Sequence, residues 1–239
     1  MTDPSGIERP LPPDRGGPYV GVDGTRGRWV AVSLDGGGRF GGAALADSLA
    51  ELLASHGEAD AFGIDVPLGM PEAGPRAADA AARTALGSRR ATIFMTPPRA
   101  VLEAPTYGEA RERAVELTGK SISAQSYALR HNVLEADGLR SDARVFEVHP
   151  ELAFRAMAGR VLETGKRTWN GAAERRDLLA AEGIVLPSDL GAAGAVPVDD
   201  VLDAAAAAWS ARRIARGEAA RVPEAPELDE HGRAVAIWF

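Results

Sequence analysis

The chain contains no cysteine. Disulfides, zinc–thiolate centres and cysteine nucleophiles are therefore excluded. The absence agrees with a reducing compartment, and a cytoplasmic protein is expected. Lysine is scarce as well: Lys120 and Lys166 are the only two, and the other basic residues are arginines. Aromatic residues make up 5% of the chain, too few for a broad base-stacking surface. Positive charge is in deficit. A net charge of −7 and a pI near 5.2 speak against a face that coats nucleic acid, though not against a local basic groove. No stretch of about 18 apolar residues exists, so no membrane span is expected. Residues 1–17 are rich in proline, glycine and charge and lack the apolar stretch of a signal peptide. They read as a flexible tail ahead of a single domain over 18–239.

What is present is a chain of 239 residues, 45% of them hydrophobic, which is enough for one α/β core. The run from Tyr19 to Val22 ends in Asp23. Gly24-Thr25-Arg26-Gly27 follows, and then a second apolar run from Trp29 to Leu34. This is a β-hairpin pattern with a carboxylate at the end of its first strand. An acid in a buried strand costs stability unless it is paired, hydrogen-bonded or bound to metal.

A third strand is expected over Arg39 to Ala44, and a short helix after a cap at Asp47 or Ser48. A fourth strand is expected over Ala61 to Val66, containing Asp65. This order suggests an antiparallel meander to which a parallel strand is added through a crossover. Residues 72–142 read as a helical insertion, with helices over Arg76 to Leu86, Tyr107 to Thr118 and Ser123 to Ala136. Strand character returns at Arg144 to His149, which contains Glu147. Helices are then expected over Glu151 to Ala158, Ala172 to Glu182 and Val198 to Arg216, and an edge strand over Arg233 to Phe239. The apolar end of that strand, Val235 to Phe239, offers an edge for pairing across a homodimer.

Asp23, Asp65 and Glu147 each interrupt or end an apolar strand. Asp200 and Asp203 stand three apart at the start of the long helix, on one face. If the strands are neighbours, these acids converge. Such a cluster repels itself unless it holds cations, and Mg²⁺ and Mn²⁺ are the hard divalent ions that prefer oxygen ligands. Two such ions about 3.5–4 Å apart can activate water and stabilise the leaving oxygen of a phosphodiester.

The segments Gly21-Val22-Asp23-Gly24, Gly63-Ile64-Asp65-Val66-Pro67-Leu68-Gly69 and Phe94-Met95-Thr96-Pro97-Pro98-Arg99 resemble the ribonuclease H-like superfamily, and more narrowly the DUF429 family. The resemblance continues through Phe146-Glu147-Val148-His149-Pro150-Glu151, through Lys166 with Ala173 to Leu179, and through Asp199 to Ala204. The last of these is also similar to the helix that completes the metal site of RuvC-type resolvases. The resemblance implies a mixed five-stranded sheet flanked by helices, with acids on the first strand, the fourth strand and a late helix. It implies a nuclease that hydrolyses DNA or RNA with two Mg²⁺ or Mn²⁺ ions. One departure is Asp65, where many superfamily members carry glutamate.

Around this cluster, Arg89, Arg90, Arg99 and Lys166 are candidates to grip substrate phosphates. Trp169 could stack a base or pack, and His149 is placed to touch the site only if the strand end bulges. Glu151 reads as a first-turn partner of a helix dipole. The serines Ser121, Ser123 and Ser126 have no paired base, so a serine hydrolase is rejected. Two other readings stand beside the nuclease. One is an actin-like or sugar-kinase phosphate loop at Asp23-Gly24-Thr25. The other is a catalytically silent binding module.

Overall fold

The structure is a computed structural model that describes Glu8, residues 10–229 and residues 232–239. Strands β1 (Tyr19–Thr25) and β2 (Arg28–Leu34) form the hairpin. Only Arg26 and Gly27 separate them, with φ of 47° and 78°. Positive φ at both positions is what a type I′ turn needs, and its twist matches that of the strands. β3 (Phe40–Ala46) adds antiparallel to β2. α1 (Leu49–Ser55) follows, capped by the Ser48 hydroxyl, which accepts from Glu51 N at 3.2 Å. The chain then crosses over to β4 (Ala61–Ile64), which runs parallel to β1.

Between β4 and the next strand the chain is helical. α2 (Ala77–Leu86) runs into a 3₁₀ segment, Gly87–Thr92, and then come α3 (Arg99–Leu102), α4 (Tyr107–Thr118), α5 (Ala124–Ala128) and α6 (Arg130–Gly138). The single helix expected over Ser123 to Ala136 is broken at Leu129. β5 (Val145–Glu147) pairs parallel to β4. α7 (Pro150–Ala158), α8 (Trp169–Ala181) and α9 (Val198–Ala215) complete the helical layers. The sheet order is β3-β2-β1-β4-β5, a mixed five-stranded sheet of the α/β class.

The C-terminal stretch departs from expectation. β7 (Ile237–Trp238) is not an edge strand of the main sheet but pairs with β6 (Arg221–Val222) in a separate two-stranded sheet. The pull is local. Trp238 meets Phe146 edge-on at 6.0 Å and bridges to Val148 beyond the end of β5. The expected tail also differs where it is described; residues 1–7 and 9 lie outside the described residues. Arg15 N and Gly17 N each donate to Asp60 at 2.8 Å, and Tyr19 donates its hydroxyl proton to Asp14 at 2.7 Å. The buried Asp60 thus fastens the chain to the domain from Asp14 onward. Among the described residues no helix is long and apolar enough to cross a membrane.

Two glycines decide how the long helix lies. Gly21 on β1 and Gly63 on β4 are register partners. A Cβ on Gly21 would fall 2.0 Å from Ala208 N and 2.1 Å from Ala204 O; one on Gly63 would fall 2.5 Å from Ala207 O. The backbone of α9 therefore rests directly on the sheet, which only glycine on the strands and alanine on the helix permit. The rest of this face packs Phe154, Leu179 and Trp209 around α9, and the opposite face packs Leu49, Leu52 and Ala136.

Candidate metal centre

The close seat of α9 fixes where the acids go. Side chains two residues apart on a strand share a face. Asp23 follows Gly21, and Asp65 follows Gly63, each by two. Both acids therefore emerge on the α9 side, just past the contact with the helix. Asp65 N donates to Val22 O at 2.9 Å, which keeps the two strand ends in step. Asp203 lies one helical turn before Ala207, so it meets them. The carboxylates of Asp23, Asp65 and Asp203 each offer an oxygen, and these oxygens lie within 4.8 Å of one another.

Electrostatics reflect that crowding. Burial, together with the charges of Asp65 and Asp203, pushes the Asp23 carboxyl well above its usual range. Asp65 is raised to about 7 by burial, against the pull of Lys166. Asp203 is raised to about 7 by burial, and Lys166 partly offsets this while Asp65 adds to it. Lys166 is the local counter-ion. Its ammonium bonds Asp203 Oδ2 and sits 4.0 Å from Asp199. Burial works against that ammonium, but the carboxylates outweigh it and hold it above its ordinary range. Asp200, half-buried at the cleft, is raised by burial. Asp199 is buried and is met by Arg167 Nε at 3.0 Å.

Glu147 does not join this cluster. Its two oxygens take Arg76 at 2.5 and 2.6 Å, and Leu68 N donates to it at 2.8 Å. Arg76 also binds Asp79 at 2.5 Å, and Asp79 accepts from Thr96 N at 2.7 Å. Burial lifts Glu147 to about 7 in spite of Arg76. This buried network ties the loop after β4, the start of α2 and the Thr96 loop to β5. The substrate-binding candidates also separate. Arg89 and Lys166 line the cleft over the carboxylates. Arg90 lines a different hollow beside Arg83 and Met95. Arg99 pairs with Glu103 at 3.3 Å and with Asp137, away from the cleft. Trp169 is 86% exposed and touches neither.

A family model described as "Protein of unknown function (DUF429)" matches residues 21–228. The chain belongs to the DUF429 family. No curated protein and no solved structure matches it. The matched span carries all the acids described above.

In this DUF429 chain, two residues at the centre were underweighted in the sequence. Glu151, at the start of α7, is buried, lines the cleft and accepts from Arg175 at 2.6 Å, with Arg89 3.8 Å away. Its position after Pro150 suggested only a dipole partner, but the fully buried Arg175 holds its carboxylate toward Asp65 and Asp203. His149 also lines the cleft, its charged form disfavoured by burial, and its Nδ1 has no hydrogen-bond partner among the described residues. The expected meeting of Asp23 with Asp65 has a second mark in the sequence, the repeated Gly-x-Asp, in which the glycine marks the helix contact and the acid the same face.

Proposed function

We propose that this centre binds Mg²⁺ or Mn²⁺ and hydrolyses phosphodiester bonds, as a ribonuclease H-like nuclease would. The observation that carries the reading is the meeting of Asp23, Asp65 and Asp203 within 4.8 Å. The donor set fits a hard divalent cation, being all carboxylate oxygen. Asp203 Oδ1 supports the fit: it is buried and has no hydrogen-bond partner among the described residues, a state that costs stability unless something else satisfies the oxygen. Asp23, Asp65 and Asp203 would hold the cations, with Asp200 alongside. Bound there, the two ions of the ribonuclease H-like scheme would supply an activated water and stabilise charge on the departing oxygen.

The protein's own residues do the rest. Gly21 and Gly63 let α9 carry Asp203 to the strand ends. Glu151, fixed by Arg175, adds negative charge behind the carboxylates. Lys166 and Arg89 line the cleft where a phosphate would approach. Glu147 holds the cleft wall through Arg76 and is not needed as a ligand. The absence of cysteine fits action in the reducing cytoplasm.

The test is cleavage of labelled dinucleotide, single-stranded, duplex and RNA–DNA substrates with Mn²⁺, comparing wild type with Asp65→Asn. The account expects metal-dependent cleavage that falls by about 10²-fold or more in the variant. Equal activity in both proteins, or none with any substrate, would defeat it.

A further inference from the structure

The cations of the cleft above the carboxylates are mostly met by acids from within. Arg76 is bound to Glu147 and Asp79, Lys166 to Asp203, and Arg167 to Asp199, while Arg89 faces Glu151. Arg26, exposed in the β1–β2 turn, is the remaining cleft cation and has no acidic partner among the described residues. A protein that holds a long duplex neutralises many phosphates at once, and each contributes about −0.9 to the slope of log affinity against log salt. Among the described residues, Arg26 and Arg89, whose Nε is buried without a hydrogen-bond partner, are the cleft cations left for that task, too few to hold a long duplex.

The facing wall is of another kind. Phe94 and Met95 after the 3₁₀ segment, Leu129 at the break between α5 and α6, and Asn132 on α6 are neutral. Met95 and Leu129 are apolar yet 39% and 42% exposed. The Asn132 amide lies against Gly24, next to Asp23: a Cβ on Gly24 would be 2.7 Å from Asn132 Nδ2. That amide has no hydrogen-bond partner among the described residues. The cleft offers about 1080 Å³, just above the roughly 300–1,000 Å³ of small-ligand pockets.

We infer that the substrate is a small phosphodiester of dinucleotide size, with a base held against Phe94 and Leu129 and an edge of that base bonded by Asn132. The inference rests on the hydrolytic reading of the carboxylate centre. In the reaction, water adds its hydroxyl to phosphorus and the P–O ester bond breaks. The departing oxygen takes the remaining proton, so the products are a phosphomonoester and an alcohol.

The experiment uses the full chain with Mn²⁺. Calorimetry compares a dinucleotide carrying a non-hydrolysable methylene-phosphonate linkage with a long DNA duplex, at 50 and 200 mM salt. Turnover of the natural dinucleotide is followed in parallel. The expected result is that the analogue binds at least about tenfold tighter than the duplex and loses less than about threefold across that salt range. Asn132→Ala and Leu129→Ala should each weaken analogue binding by about fivefold or more, while leaving Mn²⁺ binding intact. Tighter binding of the duplex with a loss of about 10³-fold or more across the same salt range overturns the inference and leaves the hydrolytic reading standing. Dinucleotide binding without turnover overturns the hydrolytic reading and, with it, the dinucleotide as substrate. Failure of both ligands to bind, or unchanged binding in both variants, also overturns the inference.

Discussion

Lys166 bonds one oxygen of Asp203 and leaves the other, Oδ1, buried without a hydrogen-bond partner among the described residues. One carboxylate thus faces a cation on one side and open need on the other. The ammonium of Lys166 compensates the centre in the absence of metal, and it competes with any cation that arrives.

That competition can be measured. Lys166→Met removes the tethered charge while keeping the length of the side chain. Calorimetric titration with Mn²⁺ at neutral pH should show affinity rising about tenfold, or roughly 1.4 kcal/mol. The metal-free variant should melt lower than wild type, because Asp203 loses the only cationic neighbour it has at bonding distance among the described residues. Unchanged or weaker Mn²⁺ binding would mean that the lysine does not occupy the place of a cation.

Stability of the metal-free protein should fall as pH rises. Asp65 and Asp203 have an ordinary carboxyl value of 3.8 and reach about 7 when folded, and Asp23 is raised as well. Between about 4 and 7 the folded state holds protons that the unfolded state has released, so stability declines through that window. Above it the full destabilisation is present. Each tenfold difference in proton affinity is worth about 1.4 kcal/mol, and in a chain of this size 1 kcal/mol moves Tm by about 2–4 °C. Melting followed by circular dichroism should give a higher Tm at pH 5.5 than at pH 8. Added Mn²⁺ should raise Tm more at pH 8, where the carboxylates are ionised. A metal-free Tm that climbs over the same range would contradict the assignment of these acids as buried and mutually repelling.

Glu147→Gln separates a wall from a ligand. Arg76 and Glu147 are both buried and bonded at 2.5 and 2.6 Å. Removing the negative partner leaves Arg76 with Asp79 as its acidic partner and Leu68 O as a carbonyl acceptor, and breaking a buried pair costs about 3–5 kcal/mol. Denaturant unfolding should show that loss, whereas Mn²⁺ affinity stays within about twofold of wild type. If affinity collapses while stability holds, Glu147 belongs among the ligands.

How far the sequence carried this account depends on the kind of contact. The hairpin, the crossover and the helix over Tyr107–Thr118 followed from period and turn residues, which act locally. The antiparallel meander with a parallel strand added to it followed from the order of those elements, whereas the five-stranded sheet was what the family resemblance implied. The grouping of Asp23 with Asp65 was legible from strand position, because each stands at the end of an apolar strand and the crossover makes those strands neighbours. The exclusion of Glu147 was not. Nothing near Glu147 in the chain announces Arg76, which lies 71 residues earlier and reaches it only once α2 has packed. The same holds for Arg175 behind Glu151. The arginines Arg89, Arg90 and Arg99 are close in sequence, but the 3₁₀ turn and α3 send them to different surfaces. The break at Leu129 left no mark in composition, yet it creates part of the cleft wall.

The seat of the long helix yields a sharp mutational expectation. Gly21→Ala would place a methyl group 2.0 Å from Ala208 N. Backbone cannot yield as a flexible side chain does, so α9 must lift away, taking Asp203 from Asp23 and Asp65. Overpacking typically costs about 1–3 kcal/mol, and this site should lie at or beyond the upper end. As a control, Gly27→Asn retains a residue that tolerates positive φ in the turn and meets nothing within 4 Å; it should be close to neutral. Comparable unfolding curves for Gly21→Ala and wild type would show that the helix does not rest where the structure places it.

The central claim is that Asp23, Asp65 and Asp203 form one divalent-cation site, and a crystal soaked in Mn²⁺ tests it most directly through anomalous scattering. The account predicts a peak bounded by carboxylate oxygens of all three residues at about 2.0–2.4 Å, with the Lys166 ammonium displaced from Asp203. A map with no peak there, or with Mn²⁺ on Glu147 while Asp203 remains paired to Lys166, would contradict it.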